Sequence, residues 1–193
     1  MECPVKKIVL FFCLLLCGCQ FAGTIVNGLH RVYTMAADDR VAADDWADVG
    51  INMAVRDALG KKKATLLIDV EVTVFEGAVL LTGTVPKAEV VNEIMEATWS
   101  VDGVKKVYNY VRVDDTPKII DTTAEAAKAT QIKAQLAITA GINSSNYKLV
   151  LENKTVYLMG ICAGEEEYQR VQAVLKDTDG VDKIIYLMRL PIE

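Results

Sequence analysis

Side chains that could attack a substrate are few and widely spaced in this chain. Nucleophilic catalysis needs a nucleophile and a base within hydrogen-bond reach of each other. The one histidine, His30, stands near the N-terminus, far along the chain from the three serines, which are Ser100, Ser144 and Ser145. None of these serines lies in a G-x-S-x-G elbow. We therefore expect a non-enzymatic protein, and we expect no cofactor and no bound metal.

Two other features could carry chemistry, but each has a plainer interpretation. Cys162 could be a nucleophile; it follows the apolar run 156–161, and cysteine is among the residues most often buried, so we favour a packing role. The glutamates at 165–167 could hold a metal or act as acid and base. Acidic residues in the first turn of a helix also complement the helix dipole, and we favour that interpretation.

The N-terminus predicts export and lipid attachment. Lys6-Lys7 precedes the apolar run 8–16, which is too short for the roughly 20 residues that span a bilayer. The run ends in Leu16-Cys17-Gly18-Cys19, which resembles the bacterial lipobox, although Cys17 replaces its usual alanine or serine. We expect residues 1–18 to be a signal peptide and Cys19 to carry lipid. The alternative is an ordinary secretory peptide with a chance cysteine.

Composition excludes several other classes of protein. The chain is 52% hydrophobic and 24% charged with only 4 prolines, which is typical of a folded domain and not of a disordered one. Its net charge of −5 argues against general binding of nucleic acid, because that affinity comes largely from lysine and arginine neutralising phosphates. With Cys19 lipidated, Cys162 is the one thiol left after residue 18, and no internal disulfide is expected.

The chain contains one unit twice. Residues 47–113, the first repeat, align without a gap on residues 124–190, the second repeat, and self-similarity of this length indicates a duplication. The identical pairs include Leu59 with Leu136, Val79 with Val156, Gly83 with Gly160, and Asp102-Gly103-Val104 with Asp179-Gly180-Val181.

Each repeat is predicted to form helix, strand, strand, helix and strand. The first helix is indicated by apolar residues at four-residue spacing, which are Ile51, Val55 and Leu59. Asp44 and Asp45 are its candidate N-caps, and Gly60 is expected to end it. Alternation of apolar and polar residues predicts a strand over 68–74, and Glu76-Gly77 predicts a hairpin turn into a second strand over 78–84.

The remaining elements complete a small α+β unit. Pro86 suits the first turn of a second helix, and residues 104–113 are predicted to form the last strand. The simplest αββαβ arrangement is a three-stranded mixed sheet with both helices on one face. We interpret Gly83 and Gly160 as places where a side chain would block a turn or the close approach of a helix, because no glycine-rich phosphate loop surrounds either residue.

Several segments resemble the BON domain of bacterial envelope proteins. In the first repeat they are the strand 72–75, the turn 76–77, the strand 79–83 and Val101-Asp102-Gly103-Val104, and the second repeat matches them at 156–160 and 179–181. Two such units behind a lipobox resemble the dual-BON outer-membrane lipoproteins. The resemblance implies a lipid-anchored protein on the periplasmic face of the outer membrane that binds phospholipid, notably anionic lipid, and supports envelope integrity.

The resemblance also implies a lipid-binding surface on the first helix of the second repeat, about 125–138. Lys128, Gln131 and Lys133 are then the lipid-binding candidates. Lys128 and Gln131 lie with Gln135 on the outer side of this helix, and Lys133 lies at its flank. This helix carries no tryptophan or phenylalanine, residues that often anchor interfacial helices. Trp46 could serve instead, but we favour a packing role for it at the edge of the domain.

The expected organisation is a signal peptide (1–18), a lipid-anchored tether (19–43), a first BON domain (44–115) and a second (120–193), packed through a modest interface. The alternative function is a protein-binding adaptor that uses a sheet face or edge to recruit envelope-assembly or division proteins.

The first prediction concerns the anchor. Cys19→Ala should abolish labelling by radioactive palmitate and block maturation, because no other cysteine stands at a complete small-residue cleavage site. Gln20 replaces the aspartate that marks inner-membrane retention in this class of lipoprotein, so the labelled protein should fractionate with the outer membrane. Persistent labelling of the Cys19→Ala protein would contradict the assignment of Cys19.

Overall fold

The computed structural model describes residues 39–115 and 122–190; Cys19, His30 and the expected signal peptide lie outside these ranges. The first repeat contains helix α1 (Asp39–Lys62), short helix α2 (Leu66–Asp69), strands β1 (Val70–Phe75) and β2 (Ala78–Val85), helix α3 (Ala88–Trp99), and strands β3 (Lys106–Asn109) and β4 (Arg112–Val113). The second repeat contains helix α4 (Thr122–Ile138), a 3-10 turn (Ser144–Asn146), strands β5 (Tyr147–Glu152) and β6 (Thr155–Ile161), helix α5 (Glu165–Lys176) and strand β7 (Lys183–Arg189).

Both sheets are mixed, and their central strand is the second strand of the hairpin. In the first repeat β1 pairs antiparallel with β2, while β3 and β4 pair with β2 in parallel. In the second repeat β5 is antiparallel and β7 parallel to β6. The predicted α+β class with two tandem αββαβ units is confirmed.

Each repeat has its own apolar core between one face of its sheet and its helices. In the first repeat, Val55 and Leu59 of α1 and Ile94 of α3 pack against alternate residues of β1 and β2. In the second repeat, Ile132 and Leu136 of α4 and Val171 of α5 do the same against β5 and β6. The four-residue spacing read from the sequence therefore marks the buried side of the helices.

A third apolar cluster joins the faces of the two sheets that point away from the helices. Leu80 of β2 is 1% exposed and belongs to one cluster with Val150, Tyr157 and Met159 of the second repeat. Tyr110 meets Tyr157 with ring centroids 4.9 Å apart, within the range of favourable aromatic pairs. The two repeats thus form one compact unit in which sheet packs against sheet.

The predicted limits of the first helix are wrong at both ends. Asp44 and Asp45 lie inside α1 and are not its N-caps, and α1 continues past Gly60 to Lys62. Glycine only weakens a helix that tertiary contacts hold in place. Here Leu67 packs over Gly60, where an added Cβ would lie 3.2 Å from a Leu67 methyl carbon.

The predicted strand over 68–74 starts too early. Residues 66–69 form the short helix α2, in which Leu66 is buried and Ile68 is 88% exposed. The Ile68 and Asp69 backbone N–H groups both donate to the Thr65 carbonyl, so the chain closes one helical turn before β1 begins. Pro86 also lies just before the second helix, because α3 starts at Ala88 behind Lys87.

The predicted last strand over 104–113 begins at Lys106 and is interrupted in the middle. The Asn109 side-chain oxygen accepts a hydrogen bond from the Val111 N–H at 3.0 Å, which draws this stretch out of the regular ladder. Pairing with β2 resumes at Arg112 opposite Thr84. The matching strand β7 is continuous through seven residues.

The two hairpins are tied to the first helix of their repeats. Glu76 and Gly77 have φ values of 50° and 78°, the positive values that tight hairpin turns require. Their backbone N–H groups donate to the Asp48 carboxylate at 2.6 and 2.8 Å. In the second repeat the matched Lys154 N–H donates to Glu125 at 3.4 Å. An acidic residue on the helix therefore fixes each turn.

Gly83 and Gly160 allow a close approach of the neighbouring strand. A Cβ on Gly83 would lie 2.1 Å from the Asp69 carbonyl oxygen, and one on Gly160 would lie 2.3 Å from the Asn146 oxygen. Both residues also have φ values that side chains disfavour, 130° and 154°. The interpretation as backbone geometry is confirmed: the crowding atom is the carbonyl oxygen of the residue just before β1 or β5, at the end of α2 or of the 3-10 turn.

The second prediction tests the contact between the sheets. Leu80→Ala should lower the free energy of unfolding by about 2–5 kcal/mol, the usual cost of such a truncation in a core. It should also speed thiol labelling of Cys162 under native conditions, since Cys162 is buried in the second repeat and opens to reagent only when that repeat loosens. The labelled Cys162 peptide is measured by mass spectrometry.

Ile94→Val is the matched control, because Ile94 lies in the core of the first repeat alone. Divided by the loss in free energy of unfolding that each change causes, the increase in Cys162 labelling rate should be smaller for Ile94→Val than for Leu80→Ala. Equal labelling rates in wild type and Leu80→Ala would show that the two repeats open independently.

Candidate lipid-binding surface

Helix α4 carries the residues that the sequence singles out for lipid binding. Its alanine-rich sequence favours helix, and Ile132 and Leu136, 1% and 2% exposed, hold it against the core. Ala129 packs at the edge of the same core. These three residues point inward, so the polar side of α4 faces outward.

The outward side of α4 ends in an exposed apolar residue. Lys128, Gln131 and Gln135 line a groove of about 440 Å³ between α4 and α5. Ile138, 76% exposed, follows them at spacings that keep all four residues on one side of a helix. Ile138 is not among the lipid-binding candidates predicted above, although its place in this spacing was the available signal. We call these four residues the α4 stripe.

The opposite wall of the groove is acidic. Asp177 and Asp179 follow α5 and line the same groove as Lys128. Lys128 is only half-exposed, and its Cε lies 3.8 Å from the place where a Cβ on Gly180 would be. The lysine side chain therefore extends across the groove toward Gly180, on the side that carries the two aspartates.

Lys133 belongs to a different surface. Lys133 comes five positions after Lys128, so its side chain is rotated by roughly 140° around the helix axis from that of Lys128. Lys133 lines a cleft of about 610 Å³ between the two repeats, together with Glu71 of β1 and Glu152 of β5. The structure thus places Lys128 and Gln131 together and sets Lys133 apart from them.

The cleft between the repeats holds like charges close together. Burial in the cleft, and next the charge of Glu152, raise the pKa of the Glu71 carboxyl, while Lys133 and Arg56 act in the opposite direction. Glu152 also lies 3.5 Å from Arg112 of the first repeat. These charges therefore join the two repeats at the edge of the apolar cluster between their sheets.

Cys162 and the glutamates at 165–167 have structural roles. Cys162 is fully buried in the second core, and burial raises the pKa of its thiol above 9.0, so the packing interpretation is confirmed. Glu167 is 6% exposed and accepts the Ala163 and Asn143 N–H groups at 2.6 Å each. Burial acts to raise the pKa of Glu167, but these two donors lower it below its ordinary value.

Trp46 does not pack as expected. It lies within α1 and is 74% exposed, so the interpretation of a residue packed at a domain edge is wrong.

Across the part of the chain that the structure describes, no cluster of three or more His, Cys, Asp or Glu residues could hold a metal ion. Within the same residues, no helix has the length and apolar character needed to cross a bilayer.

Comparison with known families identifies the repeated unit. A model of the BON domain matches residues 47–115 and again 124–191. The chain therefore belongs to the BON domain family and contains two BON domains in tandem, which confirms the resemblance seen in the sequence.

Three curated relatives share much of the chain. It is 24% identical to the outer membrane lipoprotein DolP of Haemophilus influenzae over 96% of both chains. It is 36% identical to an uncharacterized protein of Anaplasma centrale over 63% of this chain and 81% of that one. It is 24% identical to a 21 kDa hemolysin of Actinobacillus pleuropneumoniae over 81% and 80% of the two chains.

Among solved structures, CdsD, a structural protein of the type III secretion system of Chlamydia trachomatis, overlaps 72% of this chain and 91% of its own. Its identity is 12% and its TM-score 0.31, so the overlap carries no functional argument.

The third prediction concerns the cleft. Folding makes the Glu71 carboxyl harder to ionise, so its ionisation above the raised pKa costs stability. Glu71→Gln should therefore unfold at a higher temperature than wild type at neutral pH. The difference should shrink as the pH falls through the raised pKa and vanish well below the ordinary value of 4.5, where both proteins are uncharged at this position.

Calorimetry across this pH range measures the effect. Glu93→Gln neutralises an exposed carboxylate on α3 and is the control for the overall change in net charge. A Glu71→Gln protein that is less stable than wild type at neutral pH would mean that Lys133 and Arg56 outweigh burial and Glu152.

Proposed function

We propose that this chain is a non-enzymatic lipoprotein of the outer membrane, held by lipid on Cys19 and facing the periplasm. In this proposal the second BON domain binds anionic phospholipid through the α4 stripe and thereby supports envelope integrity. The likeness to an outer membrane lipoprotein over 96% of the chain supports the location. The exposure of Ile138 at the end of a polar stripe is the observation that carries the lipid site.

The chemistry of the stripe suits a membrane interface. Amphipathic interfacial helices combine cationic or polar side chains with apolar ones that enter the headgroup region. Lys128 and the amides of Gln131 and Gln135 can donate hydrogen bonds to phosphate oxygens. Burying an isoleucine side chain contributes about 1.5–3 kcal/mol, more than the roughly 1 kcal/mol of one lysine near an anionic surface. Ile138 would therefore contribute most of the affinity.

Tethering makes such a weak site useful. Two or three side chains do not hold a protein with a net charge of −5 on an anionic membrane by themselves. A lipid on Cys19 would keep the domain near the bilayer at an effective concentration of roughly millimolar, provided that the linker can reach. In this proposal the lipid supplies the attachment and the α4 stripe sets the orientation of the second domain.

A protein-binding adaptor would use a sheet face or a sheet edge, and the sheet face is covered in this fold. A protein-binding sheet face must be free, but the faces away from the helices pack on each other through Leu80, Val150 and Tyr157. Among the described strands, edges for a partner strand remain at β1, β3, β4, β5 and β7, each of which pairs only with the central strand of its sheet. No feature of these edges favours a partner over the membrane.

The fourth prediction tests lipid binding in the form without a tether, residues 24–193. This protein should sediment with anionic liposomes and not with neutral ones, and the binding should fade as salt shortens the screening length to about 8 Å near 0.15 M. Ile138→Ser should weaken binding by about tenfold, and Lys128→Glu by about fivefold or more.

Lys105→Glu is the matched control, because it makes the same charge change on the exposed surface of the first repeat. Lys133→Glu tests the separation seen in the structure: if the α4 stripe alone carries binding, this change has less effect than Lys128→Glu. Unchanged binding of the Ile138→Ser and Lys128→Glu proteins would remove the α4 stripe as the lipid site.

A further inference from the structure

The segment that links α1 to β1 in the first repeat combines positive charge with exposed apolar side chains. Lys61, Lys62 and Lys63 are consecutive and exposed. Leu67 and Ile68 follow on α2 and are 40% and 88% exposed. A single exposed apolar residue is ordinary, but two of them beside three lysines form the pattern of an interfacial membrane contact.

The fold itself does not require this chemistry. The second repeat has the same link between helix and strand, and there Ser144 and Ser145 stand in place of Leu67 and Ile68. They form a 3-10 turn at the matching place before β5. Ile138, Thr139 and Ala140 stand in place of the three lysines. Since the second repeat folds with Ser145 at the place of Ile68 and without the three lysines, these residues of the first repeat are free to serve binding, whereas Leu67 also packs over Gly60.

The lysines are available to a ligand despite their contacts. Lys61 pairs with Asp57 at 2.6 Å and Lys62 with Glu96 at 2.9 Å. All four side chains are well exposed, and ion pairs in such positions contribute little to stability. An anionic surface can therefore replace these carboxylates at small cost.

The segment lies beside the second domain. Ile68 lines the cleft between the repeats, and Thr130 and Lys133 of α4 line the same cleft. Arg56 donates to the Leu67 carbonyl at 3.3 Å, which holds α2 against α1 and adds another cation. Ile68 thus stands at a cleft whose other wall is the helix that bears the α4 stripe.

We infer that residues 61–68 are a second membrane-docking segment, in which the three lysines contact anionic lipid phosphates and Leu67 and Ile68 enter the interfacial layer. This inference rests on the proposed function, because it takes the same membrane as its ligand. It assigns to the first BON domain a contact that the proposed function does not contain. Lys133 would add a further cation to this docking segment, because it lines the same cleft as Ile68.

Site-specific photocrosslinking of the full chain tests the inference. A benzophenone side chain replaces Ile68 in one protein, Ser145 in a second and Gln131 in a third. Each protein is reconstituted in vesicles of phosphatidylcholine, alone or mixed with phosphatidylglycerol, and lipid adducts are measured by mass spectrometry. Position 145 is the matched control, since it is the equivalent of position 68 and is also exposed.

Position 68 should form lipid adducts in clear excess over position 145, and more so in the vesicles that contain phosphatidylglycerol. Replacing the lysines together, as Lys61→Gln, Lys62→Gln and Lys63→Gln, should lower the yield at position 68 by about fivefold or more. Circular dichroism checks that the altered proteins remain folded. The Ile68→Ser protein, which copies Ser145 of the second repeat and keeps the contact of Leu67 with Gly60, provides the comparison for vesicle affinity.

The outcomes separate this inference from the proposed function. Adducts at position 131 with a yield at position 68 no higher than at 145 would overturn the docking segment and leave the α4 stripe in place. Adducts at position 68 without any at 131 would support the segment and remove the α4 stripe. Crosslinks from position 68 to a protein in cell envelopes, with no lipid adduct, would overturn the inference in favour of a protein partner.

Discussion

The apolar contact between the two sheets determines which surfaces of the molecule remain free to bind a ligand. In each repeat the strands alternate, so that one face meets the helices and the other carries residues such as Leu80 and Tyr157. A three-stranded sheet that is apolar on both faces needs a cover on each. Helices supply one cover, and the other repeat supplies the second. The fold of each repeat therefore depends on the other repeat, which covers the second apolar face of its sheet.

This arrangement moves binding to the outside of the helices and to the links beside them. The helices are the outer layers, since their inner sides hold the cores through residues such as Leu59 and Leu136. Ile138 and Ile68, the most exposed large apolar residues of the second and first repeats, both lie at the link between the first helix and the hairpin of their repeat. Ile138 ends α4 at the place of Lys61, and Ile68 lies at the place of Ser145. The two proposed membrane contacts thus use neighbouring but different positions of the repeated unit.

The sequence was sufficient for the repeated architecture, because alternation and four-residue spacing report directly which side of each element is buried. It was not sufficient for element ends. Asp44 and Gly60 have the local chemistry of caps, but tertiary contacts such as that of Leu67 with Gly60 extend the helix through them. The spacing along α4 already turns Lys133 away from Lys128, but the second repeat alone contains no information about the cleft that Lys133 faces. Spacing alone did contain the signal for Ile138.

The matched glycines show which demands the duplication shares between its copies. Gly83 and Gly160 meet the same steric requirement, a carbonyl oxygen that leaves no room for a side chain, so both copies are bound by it. Most of the link from helix to hairpin is under no such constraint, and there the three lysines and Ile68 of one copy stand opposite Ile138, Thr139, Ala140 and Ser145 of the other. In a duplicated chain, a steric contact of the backbone requires the same residue in both copies. A nearby link without such a contact can differ between the copies and can serve a different contact in each.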